Sequence, residues 1–174
     1  MYKIRIIYFI FNRSNNQLEK KYIMDAINRK ILIELQRNSN LKIKEIANKV
    51  GLSVTPVYER IKKMEMDGII SKYCAVLNYE KLGKKIIVLI NITIKEHTQV
   101  KRNEFVERLN TLNLISEIYH TSGAYDFMLK IRISSIEEYK NFLVNELSTL
   151  PNINDIESQI VLEEIKFTSD IHLD

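Results

Sequence analysis

Residues 50–65 read Val50-Gly51-Leu52-Ser53-Val54-Thr55-Pro56-Val57-Tyr58-Glu59-Arg60-Ile61-Lys62-Lys63-Met64-Glu65, and this run decides the first half of the fold. Val54, Val57, Ile61 and Met64 recur at i, i+3, i+7 and i+10, the stripe of a helix with one buried face. Ser53 carries the side-chain oxygen of an N-cap. Pro56, at the third helical position, gives up only an N–H that has no acceptor inside the helix. Gly51-Leu52-Ser53 leaves a very short connection to the element upstream. That element is a second stripe, Ile43, Ile46, Ala47 and Val50, which ends at Gly51 as the residue able to turn left-handed. Glu45 offers half of a capping box, but Lys42 three residues earlier has no side-chain acceptor, so this start is weak. Asn38-Ser39-Asn40 separates it from a first stripe, Ile27, Ile31, Leu32 and Leu35, opened by Asp25 as a cap.

Two short helices joined through a glycine turn form a helix-turn-helix. The second presents Thr55, Glu59, Lys62 and Lys63 away from its apolar stripe. Helix N-termini and short hydroxyl side chains suit phosphate and base-edge contacts, so the third helix reads as a DNA-binding element. The competing reading is a small helical domain whose third helix packs on a partner protein.

Charge divides the chain in the same sense. Residues 1–24 and 25–66 each carry a net +4, residues 67–83 balance, and residues 84–174 carry −4. A basic part joined to an acidic one is the footprint of a nucleic-acid reader attached to a module that must not adhere to phosphate. Cys74 is the single cysteine, which excludes an intramolecular disulfide framework and makes the cytoplasm the expected compartment. Cys74 itself reads as a small buried apolar residue. The longest apolar run, Ile6-Ile7-Tyr8-Phe9-Ile10-Phe11, is far short of a membrane span.

The second half reads as βαββαβ. Residues 85–95 form a strand with Ile86, Val88, Ile90, Ile92 and Ile94 on one face and Ile87, Leu89, Asn91 and Thr93 on the other. A helix follows with Val100, Phe105, Val106, Leu109 and Leu112 apolar, then strands over 115–120 and 125–133. A helix over 136–147 turns Tyr139, Leu143 and Leu147 inward, and a last strand spans 153–162. This is the ferredoxin-like arrangement, an antiparallel sheet with helices on one face. Because the other face carries Ile87 and Leu89 instead of charges, the simplest cover is a second copy, which makes these two residues the expected dimer interface. Only Tyr125 and Phe127 are aromatic on the central strands, too few for an RNA-stacking platform.

Residues 25–83 resemble the DNA-binding part of the Lrp/AsnC, or feast/famine, transcriptional regulators. The likeness rests on Met24-Asp25-Ala26-Ile27-Asn28-Arg29-Lys30-Ile31-Leu32, on the run quoted above, and on Gly68-Ile69-Ile70 through Leu77-Asn78; it extends to about Lys166. Lys42, usually Ser or Thr in that family, and Asn28, usually Asp, are departures. The resemblance implies an α+β chain with a winged helix-turn-helix domain over 25–68, a linking strand near 72–77 within a 69–84 linker, a βαββαβ domain over 85–166 and a tail over 167–174. It implies that the third helix enters the major groove, with Ser53, Thr55, Pro56, Glu59, Arg60, Lys62 and Lys63 as the DNA-binding residues. It also implies that the second domain dimerises, that dimers assemble into rings such as an octamer, and that an amino acid or related metabolite binds where dimers meet. Family members commonly begin near Met24. Residues 1–24 therefore read either as an upstream over-reading or as a genuine extension, with a strand over 2–11 and a basic arm of Lys3, Arg5, Arg13, Lys20 and Lys21.

Ser122-Gly123-Ala124-Tyr125-Asp126 is similar to the family's Gly-Asp-Tyr-Asp effector motif, with Ala124 in place of the first Asp. Glycine admits close backbone approach and a carboxylate can meet an ammonium group, so Ser122, Gly123, Tyr125 and Asp126 are the effector candidates. A plain hairpin whose Asp126 bonds the backbone is the alternative. His97, His120 and His172 show no metal-ligand spacing, and no phosphate-binding loop, dinucleotide fingerprint or nucleophile elbow occurs. No metal, cofactor or catalytic residue is therefore expected, and an enzyme is not. Two further functions compete with an effector-responsive regulator: an assembly module that controls an enzyme by contact, and a DNA-only regulator.

Overall fold

The computed structural model describes residues 24–173, and the readings made for residues 1–23 lie outside the described residues. The chain divides into two compact units. One holds residues 24–74 together with residues 168–173, and the other is Ala75–Phe167.

The first unit packs α1 (Ala26–Arg37), α2 (Ile43–Val50) and α3 (Val54–Met66) around Ile31, Leu32, Ile46, Ala47, Val57, Ile61 and Met64. Asp25 caps α1 by accepting from the Asn28 backbone N–H at 2.7 Å. At α2 only half of a capping box forms: Glu45 Oε2 accepts from Lys42 N–H at 2.7 Å, and the lysine has nothing to return. Gly51 closes that helix at φ 75°, a left-handed turn that glycine enters without a Cβ penalty. Two expectations are corrected at α3. Ser53 has the extended backbone of an N-cap but makes no side-chain cap bond. Val54 is not buried: it lies only about 20° from Ile61 around the axis, but as the first residue of the helix it is left 46% exposed. The C-terminal residues also belong here, through Leu173 against the helical core and Gln36, whose side chain accepts from Ile171 N–H at 2.7 Å and donates to its carbonyl at 3.2 Å.

The linker carries no strand. Residues 72–77 lack ladder partners, and Tyr73, Val76 and Leu77 are exposed. Cys74 is exposed as well, contrary to the buried position expected for it. A lone extended segment offers its backbone to water unless a neighbouring strand pairs with it, and the sheet contains no such neighbour.

The second unit runs β1 (Ile86–Ile94), α4 (Gln99–Asn110), β2 (Ile115–His120), β3 (Phe127–Ile133), α5 (Ile136–Asn145), a 3-10 turn (Leu147–Thr149) and β4 (Ile153–Ile160). The antiparallel sheet has the order β2-β3-β1-β4, the ferredoxin-like arrangement. Alternate residues of β1 and β3, Val88 to Ile94 and Phe127 to Ile133, meet Phe105 and Leu109 of α4, Phe142 of α5 and Leu147 in one core. Phe127 is fully buried, which removes it from any stacking surface. Val100, placed on the inner side of its helix by periodicity, is exposed, while Phe142 takes the buried position of α5. Asn154 is bulged between Thr93 and Ile94 of the facing strand. Asn152, two residues earlier, holds φ 72°, and its amide closes on Glu96, accepting from N–H at 2.8 Å and donating to C=O at 3.0 Å. No helix among the described residues is long and apolar enough to cross a membrane.

Candidate nucleic-acid interface and ligand turn

On α3, Val57, Ile61 and Met64 define the inward direction. Ser53, Thr55, Glu59, Lys62 and Lys63 are exposed on the remaining arc, and Pro56 is half-buried. The three cations differ. Arg60 Nη1 lies 2.5 Å from Asp25 Oδ2 and 2.8 Å from Asn28 Oδ1, so its guanidinium joins α3 to the start of α1. The Asn28 backbone N–H and then Arg60 hold the Asp25 carboxyl below its ordinary range. Lys62 Nζ is 2.7 Å from Glu65 Oε2 and 5.9 Å from the centre of the Tyr58 ring, and the Glu65 bond raises its pKa. Among the described residues, Lys63 takes part in none of this unit's ion pairs. Position on the helix alone does not separate a cation that points out from one that closes on its own domain, because that depends on carboxylates elsewhere in sequence.

The turn between β2 and β3 holds the four effector candidates together. Ser122 and Gly123 are exposed, and Gly123 adopts φ 150°. Thr121 N–H donates to the Asp126 carbonyl at 2.8 Å, and the Thr121 hydroxyl donates to the Tyr125 carbonyl at 2.8 Å. Asp126 Oδ2 accepts from Ile94 N–H at 2.8 Å, and Oδ1 lies 3.2 Å from His97 Nδ1. The Tyr125 hydroxyl donates to Glu157 of β4; this bond raises the phenol pKa and lowers that of the carboxylate. The carboxylate at this turn is thus already engaged by β1 and by His97, a neighbour that no local pattern announces.

The open sheet face departs from expectation. Ile87 and Leu89 lie on it, but their cross-strand partners are Arg132 and Lys130. Lys130 Nζ pairs with Glu117 at 3.0 Å, and Arg132 Nη2 pairs with both oxygens of Glu164 at 2.6 and 2.8 Å. The Arg132 guanidinium also lies 4.2 Å from the Tyr79 ring centre and 5.6 Å from that of Phe167. Between these paired charges Ile87, Leu89, Tyr119, Met128 and Val161 line a shallow concavity of about 290 Å³. Adjacent strands therefore frame an apolar strip with neutralised charge, which the alternation within β1 could not foretell.

A family model described as winged helix-turn-helix DNA-binding matches residues 24–71, and one described as the Lrp/AsnC ligand binding domain matches residues 87–171. The leucine-responsive regulatory protein of Haemophilus influenzae is 39% identical over 155 residues, 88% of this chain and 93% of that protein. Among solved structures, an AsnC family transcriptional regulator from Agrobacterium tumefaciens superposes with a TM-score of 0.82 at 34% identity, covering 86% of this chain and 97% of its own. The transcriptional regulator NMB0573 of Neisseria meningitidis, solved in complex with L-Met, gives a TM-score of 0.82 at 26% identity over 87% and 97% of the two chains.

Proposed function

The chain belongs to the Lrp/AsnC family of transcriptional regulators, and we propose that it grips duplex DNA with the outer face of α3 while a second copy covers its open sheet face. The protein is a DNA-binding transcriptional regulator. Its relatives are regulators, and no enzymatic step is assigned to it.

The observation that carries the DNA assignment is the division of labour on α3. Thr55 and Glu59 sit on the exposed crest, where side chains reach base edges, with Ser53 and Pro56 at the helix entrance. Lys63 is the outward cation suited to a phosphate. Arg60 acts as a positioning residue, and Lys62 contributes a charge already offset by Glu65. The test is a salt titration of DNA affinity. Lys63→Ala should lower the slope of log K against log salt by about 0.9 and leave sequence preference nearly intact. An unchanged slope and affinity would remove Lys63 from the interface.

An amino acid or related metabolite is the effector we assign to the turn around Gly123, in an oligomer built from dimers and working in the cytoplasm. A relative solved with L-Met supports that ligand class. Ala124 leaves Asp126 as the one carboxylate of the motif, and Asp126 must give up or share His97 to receive an ammonium group. A thermal-shift screen of amino acids and 2-oxo acids is decisive, because a ligand at about 100 times its Kd stabilises by about 2.7 kcal/mol. A hit that Asp126→Asn weakens supports the site. If no compound changes melting, oligomer size or DNA affinity, the chain is a DNA-only regulator.

A further inference from the structure

Resting on the assignment of α3 to the major groove, we propose that Val54 and Tyr58 read the 5-methyl group of a thymine, so that this helix recognises sequence through an apolar flank as well as through polar side chains. Both residues are large, apolar in the part they present, and 46% exposed. They are one helical turn apart, so their side chains are neighbours on one flank of α3. From the direction of Val57, Val54 lies about 60° and Tyr58 about 100° around the axis. Lys63 lies on the opposite flank, and Thr55 and Glu59 on the crest between.

The charge nearest to this flank is withdrawn. Lys62 Nζ is held 2.7 Å from Glu65 and stands 5.9 Å from the Tyr58 ring centre, and Glu65 also accepts from the Tyr73 hydroxyl at 3.0 Å. What α3 offers there is a ring beside a β-branched side chain whose χ1 is restricted, in other words a small preset apolar surface. In the major groove the thymine methyl is the apolar group among the base-edge features. A docked protein would need a far larger patch, since a specific interface buries on the order of 1,000 Å² or more, and here Thr55, Glu59 and Lys62 border two side chains. The occupant that matches the size and surroundings of the flank is therefore a single methyl group.

The experiment uses the full chain and a duplex enriched from a random library by binding. Each thymine of that duplex is replaced in turn by deoxyuridine, which removes the methyl and nothing else, and affinity is measured for the wild type, Val54→Ala and Tyr58→Ala. In the wild type, deoxyuridine at one thymine of each half-site should weaken binding about fourfold, the weight of one buried methyl group. In a variant that has lost the contact, the same replacement should cost nothing further. Tyr58→Phe, which keeps the ring, should behave as the wild type, and melting curves of all variants establish that they are folded. If no single replacement costs the wild type twofold, or if the loss persists undiminished in both alanine variants, the methyl contact is wrong while DNA binding stands. Failure to enrich any duplex would overturn both the contact and the assignment of α3.

Discussion

Arg60 Nη1 lies 2.5 Å from Asp25 Oδ2, and Asp25 is the residue that caps the first helix, so α3 is tied to a helix start 35 positions away in sequence. The same guanidinium donates at 2.8 Å to Asn28 Oδ1, whose residue is itself buried.

Arg60→Ala should therefore act as a packing defect. The pair is partly exposed, so the expected loss of stability is on the order of 1 kcal/mol. Affinity for DNA should fall through looser placement of α3, with the salt slope nearly unchanged, the opposite of Lys63→Ala. Thermal melts and salt titrations of the two variants check this. A slope change of about one unit in Arg60→Ala would put its guanidinium on a phosphate instead.

The contrast between Arg60 and Lys63 marks what is legible in the sequence. Periodicity placed three helices, the βαββαβ element order of the second unit and the two faces of β1 correctly, because burial on one face imposes a period that survives in the residue order. It misplaced what depends on neighbours distant in sequence. Val54 lies on the inward side by periodicity, yet as the first residue of α3 it is left exposed. Leu89 lies in an apolar strip with Ile87, Tyr119 and Met128, but Lys130 and Gln159 stand beside it on the adjoining strands, which the alternation of β1 alone does not announce. A strand was expected at 72–77, where the chain has no partner strand. The turn at Gly123 was readable, whereas the engagement of Asp126 by Ile94 and His97 was not, since it joins elements 29 to 32 positions apart.

The start of α5 supplies a pH signature. Glu138 accepts from Lys84 and from the hydroxyl and N–H of Ser134, and these bonds pull its pKa from an ordinary 4.5 to about 2. A carboxylate with a lower pKa in the folded state contributes stability that is present above pH 4.5 and lost as the pH falls toward 2. Glu138→Gln should thus be less stable than the wild type at pH 6, with the difference shrinking between pH 5 and pH 2. Denaturant unfolding at a series of pH values measures it, and a difference that does not vary with pH would show that the charge is not the stabilising element.

Asn152 combines a left-handed backbone with a side chain that pairs with both backbone groups of Glu96. Asn152→Gly keeps the backbone at ease and loses two hydrogen bonds, each worth about 1 kcal/mol. Asn152→Ala loses the same bonds and adds strain at positive φ, for roughly another 1 kcal/mol. The order of melting temperatures should be wild type, then Gly, then Ala. Equal melting of Gly and Ala variants would mean that the residue relaxes out of its left-handed conformation.

The proposed dimer face is the most exacting case, because its charges are already satisfied within one subunit. Lys130 is neutralised by Glu117 and Arg132 by Glu164, so a second copy could close on Ile87, Leu89, Tyr119 and Met128 without stranding a net charge in the seam. Leu89→Lys breaks that balance by adding an ammonium group with no carboxylate assigned to it. Burial of such a charge costs several kcal/mol, so the variant should remain folded as judged by circular dichroism yet dissociate at concentrations where the wild type is oligomeric. Glu117→Gln should do the same more mildly, by releasing the Lys130 ammonium. Sedimentation velocity of the three proteins gives the answer: an unaltered oligomer in Leu89→Lys would place the interface on another surface of the second unit.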